Sequence, residues 1–366
     1  MANATLTPPI GTTFFSLVLT ASLLGAAAAW ALRPATGDDV QPTAAAVESA
    51  PENLRDTGLF ADWAKRRVAD DVLAFTPQYP LWSDGATKSR WIRLPPGTAI
   101  DASDPDDWSF PAGTQLWKEF AFAGRRVETR YMQRRGDGTW LFATYVWSAD
   151  GSTAMLAAGT GGSAHAIDVD LGEGRRHAIP TTADCRACHD DVAPVLGFSA
   201  LQLSSDRDPN APHAETPAPD AVDLRGLVSA GLVRGWPDDV ALTPRIAAKT
   251  PIERAARGYL HGNCGGCHRD DGPLAPLGMD LAYAVADGSG DDAPIVATTV
   301  GRSSHARLPG QRGVGAMRIA AGEPDESVLL GRMRSRAPAH QMPPLGTSVV
   351  DDDAVALISR WIGELD

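Results

Sequence analysis

The chain has 366 residues, 43% hydrophobic and 21% charged, which gives room for two or three domains with proper cores. Its formal net charge of -12 excludes the basic footprint that nucleic acid requires and is compatible with a basic protein partner. With 36 glycines and 28 prolines, much of the chain is expected in turns and irregular loops.

At the N-terminus, Phe14 to Trp30 is apolar and alanine-rich, and Ala29-Trp30-Ala31 sets small residues at a cleavage spacing. About seventeen apolar residues is short for a bilayer span. Residues 1–31 therefore read as a cleaved signal peptide in preference to an anchor, although residues 1–13 hold no Lys or Arg. No cysteine lies near this segment to carry a lipid. The expected location is the periplasm. Residues 32–55 read as a flexible leader rich in Ala, Pro, Thr and Asp.

Residues 56–203 read as a β-rich domain. Arg90 to Leu94 alternates before Pro95-Pro96-Gly97 turns the chain, and Gln115 to Phe122 is a second extended run. Arg126 to Arg134 and Thr139 to Trp147 read as a hairpin across Arg135-Gly136-Asp137-Gly138. In its second strand Trp140, Phe142, Thr144 and Val146 face one way, and Leu141, Ala143, Tyr145 and Trp147 the other. Both sets are largely apolar, so this strand is expected inside the sheet. Seven of the ten tryptophans fall between Trp63 and Trp147, which points to an aromatic β core.

After the glycine-rich stretch Gly159 to Gly162 comes Cys185-Arg186-Ala187-Cys188-His189. Two thiols three apart can each bond one vinyl group of a porphyrin, and the next histidine then sits under the iron. The sixth iron ligand is open among His165, His177, Met132 and Met155, or absent, leaving a five-coordinate heme. Residues 204–222, with four prolines in Ser204 to Asp220, read as a linker or surface loop.

Residues 223–366 read as a compact cytochrome c domain. Pro251 opens a helix with Ile252, Ala255, Ala256 and Tyr259 near one face. It runs into a second motif, Cys264-Gly265-Gly266-Cys267-His268. The two motifs use every cysteine in the chain. One structural zinc held by all four thiols, or thiol redox pairs, are the competing readings. Met342, in His340-Gln341-Met342-Pro343-Pro344, is the candidate distal ligand, because prolines stiffen that strand. His340 and His305 are the alternatives. Met317 and Met333 read as buried filler, and His261 as a propionate contact or a polar edge residue. Asp351-Asp352-Asp353 caps a closing helix with Ala354, Val355, Leu357, Ile358, Trp361 and Ile362 at helical spacing. The fold class expected is α+β: an antiparallel β-sheet heme domain followed by a mostly α-helical cytochrome c domain.

Phe110-Pro111-x-Gly113-Thr114, Lys118-Glu119, the arginine-rich strand, Trp140-x-Phe142 and the first heme motif resemble, over residues 80–200, the cytochrome c-prime-beta superfamily, which includes the lysine-cross-linked hydroxylamine-oxidising cytochromes. That resemblance implies a heme on an antiparallel sheet, His189 as proximal ligand, an open distal side, and Lys118 and Glu119 on a strand near the heme. Lys65, Lys88 and Lys118 are the only lysines before the motif, and the cross-linking position stays open among them. The whole chain is similar to a group of bacterial periplasmic diheme c-type cytochromes through Pro80 to Gly85, Lys88-x-Arg90, Gly258 to Cys264, Met342-Pro343-Pro344 and Arg360-Trp361-Ile362. The C-terminal third resembles a class I-like cytochrome c.

The function expected is single-electron transfer between redox partners by two covalently bound hemes c. The other reading is a heme enzyme. A five-coordinate heme at His189 would act on peroxide, nitric oxide or hydroxylamine, with the His268/Met342 heme relaying electrons. Glu119, Glu128 and Asp84 are its candidate acid–base groups and Arg130 its electrostatic clamp. A third reading is a binding module whose aromatic domain docks a larger dehydrogenase. Homo-oligomerisation is compatible with all three.

Overall fold

The long strands are built on alternation. In the computed structural model, which describes residues 49–157, 167–189, 194–286, 293–308 and 315–366, six strands form an antiparallel meander. They are Leu73–Ala74 (β1), Thr87–Arg93 (β2), Gln115–Phe122 (β3), Arg125–Arg134 (β4), Trp140–Trp147 (β5) and Ala154–Leu156 (β6), each beside its neighbour in sequence. The β3–β4 turn is two residues, Ala123 and Gly124, with φ of 47° and 80°. Two left-handed residues match the twist of the strands they join. The β4–β5 turn closes with Gly138 at φ 87° and Asp137 accepting from the Thr139 N–H at 2.9 Å. Strand β5 is paired on both sides, by β4 and β6.

Odd and even positions feed two cores. Trp117, Tyr131, Ala143, Tyr145 and Trp147 pack on one face with Leu54 and Leu59. Ile92, Leu116, Trp140 and Phe142 pack on the other with Phe75, Phe198, Leu224, Leu227 and Val233. The second cluster thus draws on residues beyond 222. Residues 204–222 lie against the same structure: Val222 bridges Phe75, Asp208 and Ala211 are buried, and Glu215 pairs with Arg90 at 2.5 Å.

Helices follow the strands: Thr182–His189 (α1), Leu224–Ser229 (α2), Pro251–Asn263 (α3), Pro294–Ala297 (α4), Val328–Met333 (α5) and Asp352–Gly363 (α6). The chain is thus mixed α and β with antiparallel sheets, plus one short parallel pairing of Val233–Arg234 with Ile100–Asp101. Thr250 caps α3 by accepting from the Glu253 N–H at 3.1 Å, and Asp351 caps α6 by accepting from the Ala354 N–H at 3.0 Å; each cap satisfies an N–H the helix cannot. Leu260, Leu330, Ile358, Trp361 and Ile362 close a third core between α3, α5 and α6. Among the described residues no helix is long and apolar enough to cross a membrane. The expected signal peptide, residues 32–48 of the leader, Gly159 to Gly162 and His165 lie outside the described residues.

Pro80 to Gly85 fastens the sheet to these helices. Asn263 accepts from the Trp82 N–H at 2.7 Å and donates to the Pro80 carbonyl at 3.3 Å. Asp84 accepts from the backbone N–H groups of Ser348 and Val349 at 2.9 and 3.0 Å. Gly258 and Gly262, one turn apart on α3, admit Tyr79: a Cβ on Gly258 would run into its ring, and one on Gly262 would meet its carbonyl oxygen.

Candidate functional site

The first motif is helical because Thr181 and Asp184 cap each other. The Asp184 N–H donates to Thr181 Oγ1 at 3.1 Å, and the Thr181 N–H donates to Asp184 Oδ2 at 2.9 Å, a reciprocal capping box. Helix α1 then places Cys185 and His189 in the wall of a cleft on the sheet face that carries Leu116, Met132 and Phe142. The Phe142 ring lies 5.8 Å from the imidazole of His189. His189 Nδ1 donates to the Pro194 carbonyl at 2.6 Å, so the ring orientation and tautomer are fixed from outside the cleft. That backbone anchor is the support an iron-ligating imidazole usually receives.

The second motif continues from α3: the Cys264 N–H bonds the Leu260 carbonyl at 2.8 Å and the His268 N–H the Cys264 carbonyl at 2.9 Å. Its two glycines allow close approach from two sides. A Cβ on Gly265 would lie 3.0 Å from Ala282 Cα, and one on Gly266 3.0 Å from Leu196 Cδ2. Leu196 follows the first motif and lines the first cleft, as does Gly262 of α3. The motifs therefore adjoin, and the thiols of Cys188 and Cys267 are within hydrogen-bonding reach of each other.

These thiols are not set up as redox thiolates. The Cys267 thiol beside it, and then burial, push Cys188 up. Burial raises Cys185 and pushes Cys264 up to about 12, the reverse of what a reactive cysteine needs. A shared zinc would need all four sulfurs to converge, and among the described residues no group of three or more His, Cys, Asp or Glu side chains does so.

The donor sets fit heme c. At the first motif a cleft lined by apolar residues and by Arg90, Lys118 and Arg130 carries one thiol, Cys185, and one externally anchored imidazole. At the second, His268 directly follows Cys267, and its Nδ1 is buried without a hydrogen-bond partner among the described residues, so it lacks the backbone anchor that holds His189. Met342 is tied to this region through Arg332, whose carbonyl accepts from the Met342 N–H at 3.1 Å and whose Nε donates to the His340 carbonyl at 3.0 Å. The charge of Arg332, after burial, holds His268 below its ordinary range. Met333 is buried in the α3–α6 core.

The other candidates sort by strand face. Arg130 and Met132 line the first cleft. Glu119 does not: alternation turns it to the opposite face from Lys118, where it pairs with Arg126 at 2.9 Å. Its expected place beside a first heme is corrected accordingly. Burial pushes its carboxyl up, against the pull of Arg126. Glu128 is fully buried and held by Arg130 at 2.6 Å and His177 at 2.9 Å, which keeps His177 engaged away from the cleft wall. Met155 is exposed, with its sulfur on Asn53. Asp84 fastens the 347–349 loop. His261 accepts from the Tyr283 N–H at 3.1 Å, so it serves the backbone. The residue that sequence reading left without a role is Lys118, which lines the cleft with His189.

No protein-family model, curated protein or solved structure matches the chain.

Proposed function

We propose that the chain is an exported, periplasmic diheme c-type cytochrome that passes single electrons between redox protein partners. Cys185 and Cys188 would hold one heme, with His189 to ligate its iron. Cys264 and Cys267 would hold the other, with His268 and Met342 to ligate its iron. Residues 56–203 supply the β-rich heme domain and 223–366 the mostly helical cytochrome c domain, in keeping with the bacterial diheme group the sequence resembles. When bound, heme iron supplies one-electron redox chemistry; the protein sets its potential and surroundings. The chain's own part is to anchor the His189 ring on Pro194, to exclude water with Phe142 and Leu116, and to bring the two attachment motifs together. The observation that carries the reading is that meeting, Cys188 against Cys267 and Leu196 against Gly266, because tunnelling favours attachment sites that adjoin.

The second reading, a heme enzyme with a five-coordinate heme at His189, draws on one observation: the cations Arg130 and Lys118 line the same cleft. Electron paramagnetic resonance of the oxidised protein separates the two. Electron transfer predicts two low-spin irons inert to cyanide, and Met342→Ala converting the second alone to high spin. A high-spin first iron that binds cyanide contradicts pure transfer and favours the enzyme. Two irons unchanged by Met342→Ala would remove Met342 as a ligand.

A further inference from the structure

Three cations stand in one row of the sheet. Arg90 on β2 is paired directly with Lys118 on β3, Lys118 with Arg130 on β4, and Arg130 with Thr144 on β5. Directly paired residues share a face and lie about 5 Å apart, and like charges so placed repel. Arg90, Lys118 and Arg130 all line the cleft of Cys185 and His189. Two of the three are compensated. Glu215 takes Arg90 at 2.5 Å and Lys88 at 3.6 Å, and Glu128 takes Arg130 at 2.6 Å. Lys118 has no carboxylate within salt-bridge distance among the described residues; its ammonium lies 5.0 Å from the Phe120 ring. Lys88, Arg90, Lys118 and Arg130 thus have two carboxylates, Glu215 and Glu128, within ion-pair distance of the group among the described residues, in a chain whose net charge is -12. The row ends on Thr144, whose hydroxyl is buried without a partner among the described residues.

Burial, followed by the charges of Arg90, Arg130 and Lys88, holds the Lys118 ammonium well below the usual lysine range. An enclosed cation cluster of this kind is costly unless an anion joins it. Lys118 and Arg130 also present donors of different shape, a point charge and a planar fork, which together suit an oxyanion.

We propose that the Arg90–Lys118–Arg130 row is an oxyanion site built into the cleft of the first heme, with Lys118 as the group that completes it. The inference rests on a heme being attached at Cys185 and Cys188. The anion is either a propionate of that porphyrin or a free small oxyanion; both present the same delocalised negative oxygens, and one set of experiments tells them apart.

The diheme protein is prepared with Lys118→Met, with the conservative Lys118→Arg, and with the exposed control Lys65→Met. Each is titrated with sodium nitrite by optical spectroscopy and then potentiometrically at fixed pH. If the anion is free, nitrite gives a saturable change at the first heme in wild type, Lys118→Arg and Lys65→Met, weakened about tenfold or more in Lys118→Met. If it is the propionate, nitrite has no Lys118-dependent effect. Lys118→Met then lowers the potential of the first heme alone, since removing a cation favours the ferric state. The inference is overturned if Lys118→Met, with both hemes attached, matches wild type in both titrations. Heme content of the same samples separates the failures: heme-replete protein with unchanged titrations sinks the anion site alone, and protein without heme sinks the reading beneath it as well.

Discussion

His261 stands three residues before Cys264 and is partly buried, its Nδ1 accepting from the Tyr283 N–H. Burial, and then the charge of Arg269, lower its pKa from 6.5 to about 4. The folded state keeps the ring neutral while the unfolded chain binds a proton below pH 6.5. The contribution is therefore complete above pH 6.5, is lost as pH falls toward 4, and levels off below that. A shift of this size corresponds to an effect on the order of 3 kcal/mol. His261→Gln keeps a side-chain acceptor and removes the titration. Urea denaturation of the variant should show a flatter dependence of stability on pH between 6.5 and 4 than wild type. Equal slopes would mean that His261 is not the group responsible. Asp351 is a second residue with several tasks at once. It caps α6, accepts from Tyr259 at 3.0 Å and takes His213 at 2.8 Å, so the acids expected as a simple helix start also bind two other parts of the chain.

At the scale of elements, α3 carries the joint between sheet and helices. Gly258 and Gly262 face Tyr79, which is 2% exposed and has no room to move away. Gly258→Ala gains up to about 1 kcal/mol of helix propensity but forces a methyl into the Tyr79 ring, and overpacking costs about 1–3 kcal/mol. The expected outcome is a net loss of about 1–2 kcal/mol, read as a lower urea midpoint with an unchanged slope. A neutral or stabilising Gly258→Ala would show that the Tyr79 contact is not tight. The start of α3 was legible in sequence because its cap and its proline are local signals. So was the Gly138 hairpin, whose strands were expected at Arg126–Arg134 and Thr139–Trp147 and are found at Arg125–Arg134 and Trp140–Trp147. The Ala123–Gly124 turn was missed, since alanine is uncommon at a left-handed position. The reason for Gly258 was illegible too, because its partner lies 179 residues earlier, at Tyr79.

At the scale of the molecule, spacing alone marks the two Cys-x-x-Cys-His motifs and the Met342-Pro343-Pro344 run, because each is a short local pattern. What sequence could not disclose is that Cys188 and Cys267 lie within hydrogen-bonding reach of each other, or that three strands align Arg90, Lys118 and Arg130. Both depend on register between distant segments. Alternation did place Lys118 and Glu119 on opposite faces, and applying it would have set Glu119 aside at the outset. Two distant segments, Pro80 to Gly85 and Gly258 to Cys264, are two sides of one joint.

All of this turns on two porphyrins bound through thioethers at the adjoining motifs. The most direct test is the intact mass of the protein, expressed in a host competent for heme attachment and extracted to remove any loose cofactor. The account predicts the processed polypeptide plus two hemes, falling to one heme in either Cys185→Ala/Cys188→Ala or Cys264→Ala/Cys267→Ala. A mass equal to the bare polypeptide, with or without a Cys188–Cys267 disulfide, would contradict it.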